Sequence, residues 1–193
     1  MKKLNLSTNG QYIKEFEPHV RKAKYDFCPI IYGKALIGPI GNLVANRIRT
    51  DNVEDQIASM VNILQRPVIL LAHSNGAMLS WMVSNHCDNV VGVISFNGAL
   101  DRDTKFENCW VINCYHPGDW VLKVFARYRI LSKWGDYGAR RNEGAVVQIN
   151  LKNYYDGWNP HSLIMKHLDI VMPRVMSVVD SILERKDKNA KRT

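Results

Sequence analysis

Three residues of this chain have the types and the order needed to activate a hydroxyl group: Ser74, Asp119 and His161. A serine is a weak nucleophile until a base within hydrogen-bond reach takes its proton. The base in turn needs a partner that holds its second nitrogen. Ser74 stands in Ala72-His73-Ser74-Asn75-Gly76, directly after the apolar run Val68-Ile69-Leu70-Leu71. A buried strand that ends in a small residue, a flanked serine and a glycine has the shape of a nucleophile elbow, whose strained turn lifts the hydroxyl above a sheet. Ala72 and Gly76 are small enough for strand and following helix to approach closely. The same small-x-Ser-x-Gly string occurs in unrelated loops, where the serine is incidental, so the other two residues must carry the argument.

Asp119 closes the turn His116-Pro117-Gly118-Asp119 after the apolar run 110–115. Proline and glycine make a tight turn that aims an acid back over the sheet edge. The competing reading is an N-cap for a helix beginning at Trp120, a position that aspartate favours; one side chain is not expected to do both. His161 follows in Trp158-Asn159-Pro160-His161-Ser162, just ahead of a helical stretch. The other histidines fit the role of base less well. His73 adjoins the serine, but an elbow turns the two side chains apart. His116 can line a pocket beside the acid, His167 falls on a helix face, and His19 and His86 lie outside any strand-end loop. The order Ser, Asp, His is the order in which a hydrolytic triad occurs along a parallel sheet.

The elements that must position these residues are legible as an alternation. Residues 1–24 are polar and mixed, an edge strand or short helix. Residues 27–32 read as a first strand and 33–41, with three glycines and Pro39, as a loop. Val53, Ile57, Val61 and Leu64 mark one face of a helix capped by Asp51 or Asn52. Apolar runs at 90–96, 110–115 and 145–151 read as strands, and residues 77–83 and 120–131 as helices. Residues 163–183 are helical by spacing, with Pro173 splitting or kinking them and sitting in the first turn of the last helix. Asn97-Gly98 is a turn signal. Short apolar strands alternating with helices imply an α/β fold: a mainly parallel central sheet with helices on both faces, three layers α/β/α. Ligands bind such sheets at the carboxyl ends of the strands, where all three residues fall.

With these residues in place, the chain resembles the α/β-hydrolase-fold serine hydrolases over residues 27–183. The resemblance rests on Ala72-His73-Ser74-Asn75-Gly76, on Gly118-Asp119 and on His161. It implies Ser74 as nucleophile, Asp119 as acid and His161 as base. It also implies an oxyanion hole made by the backbone N–H of Asn75 and a second amide from Gly33 or Lys34. Tyr32-Gly33 stands where the family has His-Gly, with Tyr32 in place of the histidine. Ala72 replaces the commonest first glycine of the elbow. The chain is short for the family, and residues 97–108, where a cap domain is often inserted, are too few to hold one. The implied protein is a minimal, lidless hydrolase that cleaves an ester or thioester through an acyl-enzyme, with no metal or organic cofactor. Tyr32, His116 and Trp158 are candidate substrate-binding residues.

The 193 residues suit one domain, 1–193, with residues 185–193 a basic, flexible tail. The net charge of +8 invites a nucleic-acid reading, but the charge is scattered and its densest run lacks interleaved aromatics. A small-molecule or carrier-borne acyl substrate is the expected partner. A non-catalytic binding protein of the same fold and a nucleic-acid-associated protein are the rival classes. No apolar stretch is long enough for a membrane span, and the start has no apolar signal region. Cys28, Cys87, Cys109 and Cys114 show no metal-ligand spacing, and Cys28, Cys109 and Cys114, which lie in apolar runs, read as buried reduced thiols, which points to a cytoplasmic location.

Overall fold

A computed structural model describes residues 4–7, 13–30, 50–100, 104–127 and 147–191 of the chain. Six strands form one sheet: β1 (Leu4–Ser7), β2 (Asp26–Pro29), β3 (Val68–His73), β4 (Val90–Phe96), β5 (Trp110–Tyr115) and β6 (Val147–Asn150). Their order across the sheet is β2-β1-β3-β4-β5-β6, and every described neighbour pair is parallel. The described α-helices are α1 (Ile13–Lys22), α2 (Thr50–Ile63), α3 (Gly76–His86), α4 (Trp120–Arg127), the one-turn α5 (Pro160–Leu163) and the long α6 (Leu168–Ala190).

Strand side chains alternate between faces, so an unbroken apolar run feeds two cores at once. Along β3, Val68, Leu70 and Ala72 face α2 and α3, packing with Ile57, Val61, Leu79 and Val83. Ile69 and Leu71 face α1 and α6, packing with Phe16, Val20, Val171, Val175 and Val179. β4 and β5 divide in the same way, Val93 and Val111 to one side and Ile94 and Ile112 to the other. Two covered faces give the three-layer α/β/α architecture that the alternation of elements implies. The strands also interlock sideways. Gly92 lies in register with Trp110, whose indole fills the space a Cβ would need, 2.3 Å from its nearest ring atoms.

The chain enters the described sheet at β1, one place in from the edge strand β2. From β1 it moves outward to β2 and then returns to β3 on the far side of β1. The connections therefore diverge between β1 and β3, a topological switch point, and the crevice at the carboxyl ends of such strands is where open α/β sheets bind ligands. Residues 1–24 hold both a strand and a helix, and the strand is interior rather than at the edge. Leu-Asn-Leu-Ser has too few apolar residues to announce a buried strand. Pro173 lies within α6 beyond its first turn, and α6 is one helix, not two. Residues 185–190 continue α6, with 185–189 exposed. No described helix is long and apolar enough to cross a membrane.

Candidate active site

The turn after β3 places Ser74 at φ 54°, the left-handed region that a residue bearing a Cβ enters only when its surroundings hold it there. Three backbone bonds do so. The Ser74 N–H donates to Phe96 O at 3.1 Å, and its carbonyl accepts from Ala77 N at 3.1 Å and Ala99 N at 2.9 Å. The turn thus hangs between the end of β4 and the start of α3. Gly98 makes that approach possible, because a Cβ there would sit 2.0 Å from Ser95 Oγ and 2.6 Å from the Cβ of Ala77. Ser74 is half-buried, while Ala72, Asn75, Gly76 and Ala77 around it are buried.

The fold brings the three sequence-predicted residues into one line. His161 Nε2 is 2.9 Å from Ser74 Oγ, and His161 Nδ1 is 2.7 Å from Asp119 Oδ2. The carboxylate accepts from Nδ1–H, which leaves the Nε2 lone pair of the neutral ring facing the serine hydroxyl. His161 is 7% exposed and Asp119 is fully buried. Pro160 opens α5 at its first position, so His161 rides on one turn of helix after the loop that follows β6. Asp119 carries both duties that looked exclusive in the sequence. Its Oδ2 meets His161, and its Oδ1 accepts from Leu122 N at 3.2 Å, capping α4. The two oxygens of one carboxylate divide the work.

A second tier of polar side chains holds these segments. Asn97, fully buried and at φ 42°, donates from Nδ2 to Pro160 O at 3.1 Å and to His161 O at 3.3 Å. Its Oδ1 accepts from His116 N at 2.9 Å, so one amide joins the acid's turn to the base's. His73 Nε2 lies 2.8 Å from His161 O. Burial, more than the neighbouring His161, lowers the His73 pKa to about 3, so the ring is neutral and its Nε2–H is the donor. Tyr155 donates its hydroxyl to Pro160 O at 3.2 Å and stacks on both His116 and His167.

The remaining candidates separate clearly. Asn75 is buried; its backbone N–H has no partner among the described residues, and neither polar atom of its side chain has one. His116 is not available to line a pocket: it is 1% exposed and both ring nitrogens meet backbone groups. Nδ1 accepts from Gly118 N at 3.0 Å, which makes Nε2–H the donor to Tyr155 O at 3.2 Å. It therefore braces the acid's turn against the loop that precedes His161. Trp158 is 88% exposed, and its carbonyl accepts from Trp120 Nε1 at 2.9 Å. Tyr32, Gly33 and Lys34 lie outside the described residues. They follow β2, which β1 separates from β3. Sequence reading marks Asn97 only as part of a turn and sets His73 aside; the further signal each carries is its place directly at a strand end.

Cys28 and Cys109 are half-buried and Cys87 and Cys114 buried, all four as free thiols. Burial pushes the Cys109 thiol up to about 11, which keeps it protonated and unreactive near neutral pH. Among the described residues no group of three or more His, Cys, Asp or Glu side chains is arranged to hold a metal ion.

No protein-family model matches the chain, and no curated protein matches it. Among solved structures it is similar to a protein from Xanthomonas campestris pv. campestris described as a "putative hydrolase of the alpha/beta superfamily". The TM-score is 0.55 at 9% sequence identity, over 94% of this chain and 99% of that one. A likeness at that identity is one of fold, and it extends along almost the whole length of both chains.

Proposed function

We propose that this protein is a serine hydrolase that cleaves an ester or thioester through an acyl-enzyme on Ser74. The observation that carries the reading is the continuous line Ser74 Oγ, His161 Nε2, His161 Nδ1, Asp119 Oδ2, with separations of 2.9 and 2.7 Å, at the switch point of the sheet. The description of its structural neighbour as a hydrolase agrees with it.

His161 Nε2 takes the proton of Ser74 as Oγ adds to the substrate carbonyl carbon. Asp119 keeps the ring in the required tautomer and stabilises the imidazolium that forms. The backbone N–H of Asn75, without a partner among the described residues, stabilises the oxyanion. Donors of this kind act on the charge that develops in the transition state, where they contribute most. His161 then gives its proton to the leaving oxygen or sulfur, the acyl group stays on Ser74, and a water activated by His161 releases the acid. The second oxyanion donor is the backbone amide of Gly33 or Lys34, as the family resemblance implies. The substrate is a small molecule or an acyl group on a carrier.

The test is mass spectrometry of the pure protein after incubation with a fluorophosphonate, beside Ser74→Ala. A single adduct on the wild type and none on the variant is the expected result. A folded wild type that takes up no adduct overturns the reading and leaves a non-catalytic member of this fold. Equal labelling of the variant moves the nucleophile elsewhere.

A further inference from the structure

We infer that His73 is a positioning residue, which ties the backbone of the base to the turn that carries the nucleophile and so sets the separation between Ser74 Oγ and His161 Nε2. The inference rests on the reading of Ser74 and His161 as nucleophile and base.

Two hydrogen bonds cross the gap between the elbow and α5 in opposite senses. His73 sends its side chain to the backbone of residue 161, at 2.8 Å, and His161 sends its side chain back to that of Ser74, at 2.9 Å. The backbone at both ends of the loop they form is restrained, because Ser74 is fixed by the backbone bonds of the elbow and α5 begins at a proline. A shift of α5 that lengthens one bond strains the other. The His73 ring is also packed beside the base, with ring centroids 4.9 Å apart and planes inclined by 48°. It therefore limits the tilt of the His161 ring as well as the position of its main chain. Near-attack geometry is sensitive to displacements of this scale, where about 1 Å can cost ~100-fold in rate.

The choice of histidine has a chemical reason. The carbonyl of His161 needs a donor, since Asn97 reaches it only at 3.3 Å and divides its amide with Pro160 O. A cationic donor is unsuitable there, because His161 becomes an imidazolium during the reaction and a second positive ring beside it oppose that charge. A buried imidazole supplies one N–H, carries no charge, and fills the space between β3 and α5. Glutamine can place an amide nitrogen where Nε2 stands; asparagine is shorter and cannot.

The experiment measures the rate at which a fluorophosphonate labels Ser74 between pH 5 and 9 in the full chain, for wild type, His73→Gln, His73→Asn and His73→Leu, with a thermal melt for each. Labelling of the Gln variant is expected within about 3-fold of wild type, and of the Asn and Leu variants down by more than about 10-fold, because only glutamine restores the donor. Proton NMR supplies a readout independent of labelling, the downfield resonance of the His161 Nδ1–H shared with Asp119. It is expected to persist in the Gln variant and to broaden or vanish in Asn and Leu. Equal labelling of Leu and wild type, or an equal loss in Gln and Asn, overturns the inference; if Leu fails to fold, the Gln and Asn pair decides. Absence of labelling in the wild type itself defeats the hydrolase reading instead, and an Nδ1–H signal unchanged in every variant then overturns the positioning role too.

Discussion

The acid and the base reach the same line of atoms by opposite structural means. The acid's turn is held first by its own residues, with His116 also tied outward to Asn97 and Tyr155. Asp119 N donates to His116 O at 3.0 Å, Gly118 N to His116 Nδ1 at 3.0 Å, and Leu122 N to Asp119 Oδ1 at 3.2 Å, all within a stretch of seven residues. The base's segment is held from outside. The carbonyls of Pro160 and His161 accept from Asn97 and His73, which are 63 to 88 residues distant in the chain. A local turn encodes its own geometry in its own residues. An imported geometry depends on strand ends that come together only when the sheet has formed.

The largest effect should come from separating the two duties of Asp119. Asn at this position still caps α4, since asparagine is as good an N-cap as aspartate, but its amide cannot hold His161 as the carboxylate does. Asp119→Asn is expected to lower the rate of Ser74 labelling by about 10³–10⁴-fold with little change in Tm. Asp119→Ala should lose the rate equally and about 1 kcal/mol of stability besides. Labelling rates and thermal melts of the two variants together check this. An Asn variant that labels at the wild-type rate would leave Asp119 a helix cap and nothing more.

Asn97→Asp tests the imported half. The backbone at φ 42° tolerates aspartate as it does asparagine, so strain is unchanged, but a carboxylate cannot donate to the carbonyls of Pro160 and His161. Turning two buried donations into repulsions is expected to cost about 2–4 kcal/mol, read as a fall in Tm of roughly 5–15 °C. Labelling should slow by about 10–100-fold, because both segments lose their common tie. A fall in Tm without a slower rate would show that Asn97 supports the sheet end and not the base.

This contrast also explains what the sequence discloses. The buried strands β3, β4 and β5 are predominantly apolar runs, and their alternation with helices is enough to imply the sheet. β1 is different, with two leucines among polar residues, and its interior place depends on pairing with β2 and β3 that no local pattern announces. Ser74 and Asp119 are marked by turn chemistry in their own neighbourhoods, glycine and alanine around one, proline and glycine before the other. His161 was reached by chain order after a strand, and its proline is the only local cue. Asn97 and His73 bond to backbone carbonyls, and a carbonyl has no residue type, so sequence cannot point to either partner. Asp119 is forced to choose between acid and cap only in the sequence, which shows one letter where the structure has two oxygens.

His73 gives a pH test of the same imported arrangement. Its folded pKa, about 3, lies below the ordinary 6.5, chiefly because burial penalises the charged ring. Between those values the unfolded chain holds a proton that the folded chain lacks, so stability rises with pH across this window and falls as pH drops through it. His73→Gln removes the penalty. The variant should melt at or slightly below the wild-type temperature at pH 7 and gain on it progressively below pH 6, which melts from pH 4.5 to 8 would show. Parallel Tm curves for the two proteins would mean that His73 takes up its proton within the fold.

The smallest effect is expected at Tyr155, and its size bears on whether the base's segment hangs from one point or several. Its hydroxyl donates to Pro160 O at 3.2 Å, but Pro160 O also accepts from Asn97, so Tyr155→Phe removes a bond without orphaning the carbonyl. The ring itself, stacked between His116 and His167, stays in place. A neutral hydrogen bond lost in this way costs about 1 kcal/mol, or ~2–4 °C in Tm for a chain of this size. Labelling should change by no more than about 3-fold, since two donors still fix residues 160 and 161. A loss as large as that of Asn97→Asp would mean that the ties act in series and that each alone is necessary. A small loss would mean that they act in parallel, and that the elbow and the end of β4, rather than the loop leading to Pro160, determine where the base stands.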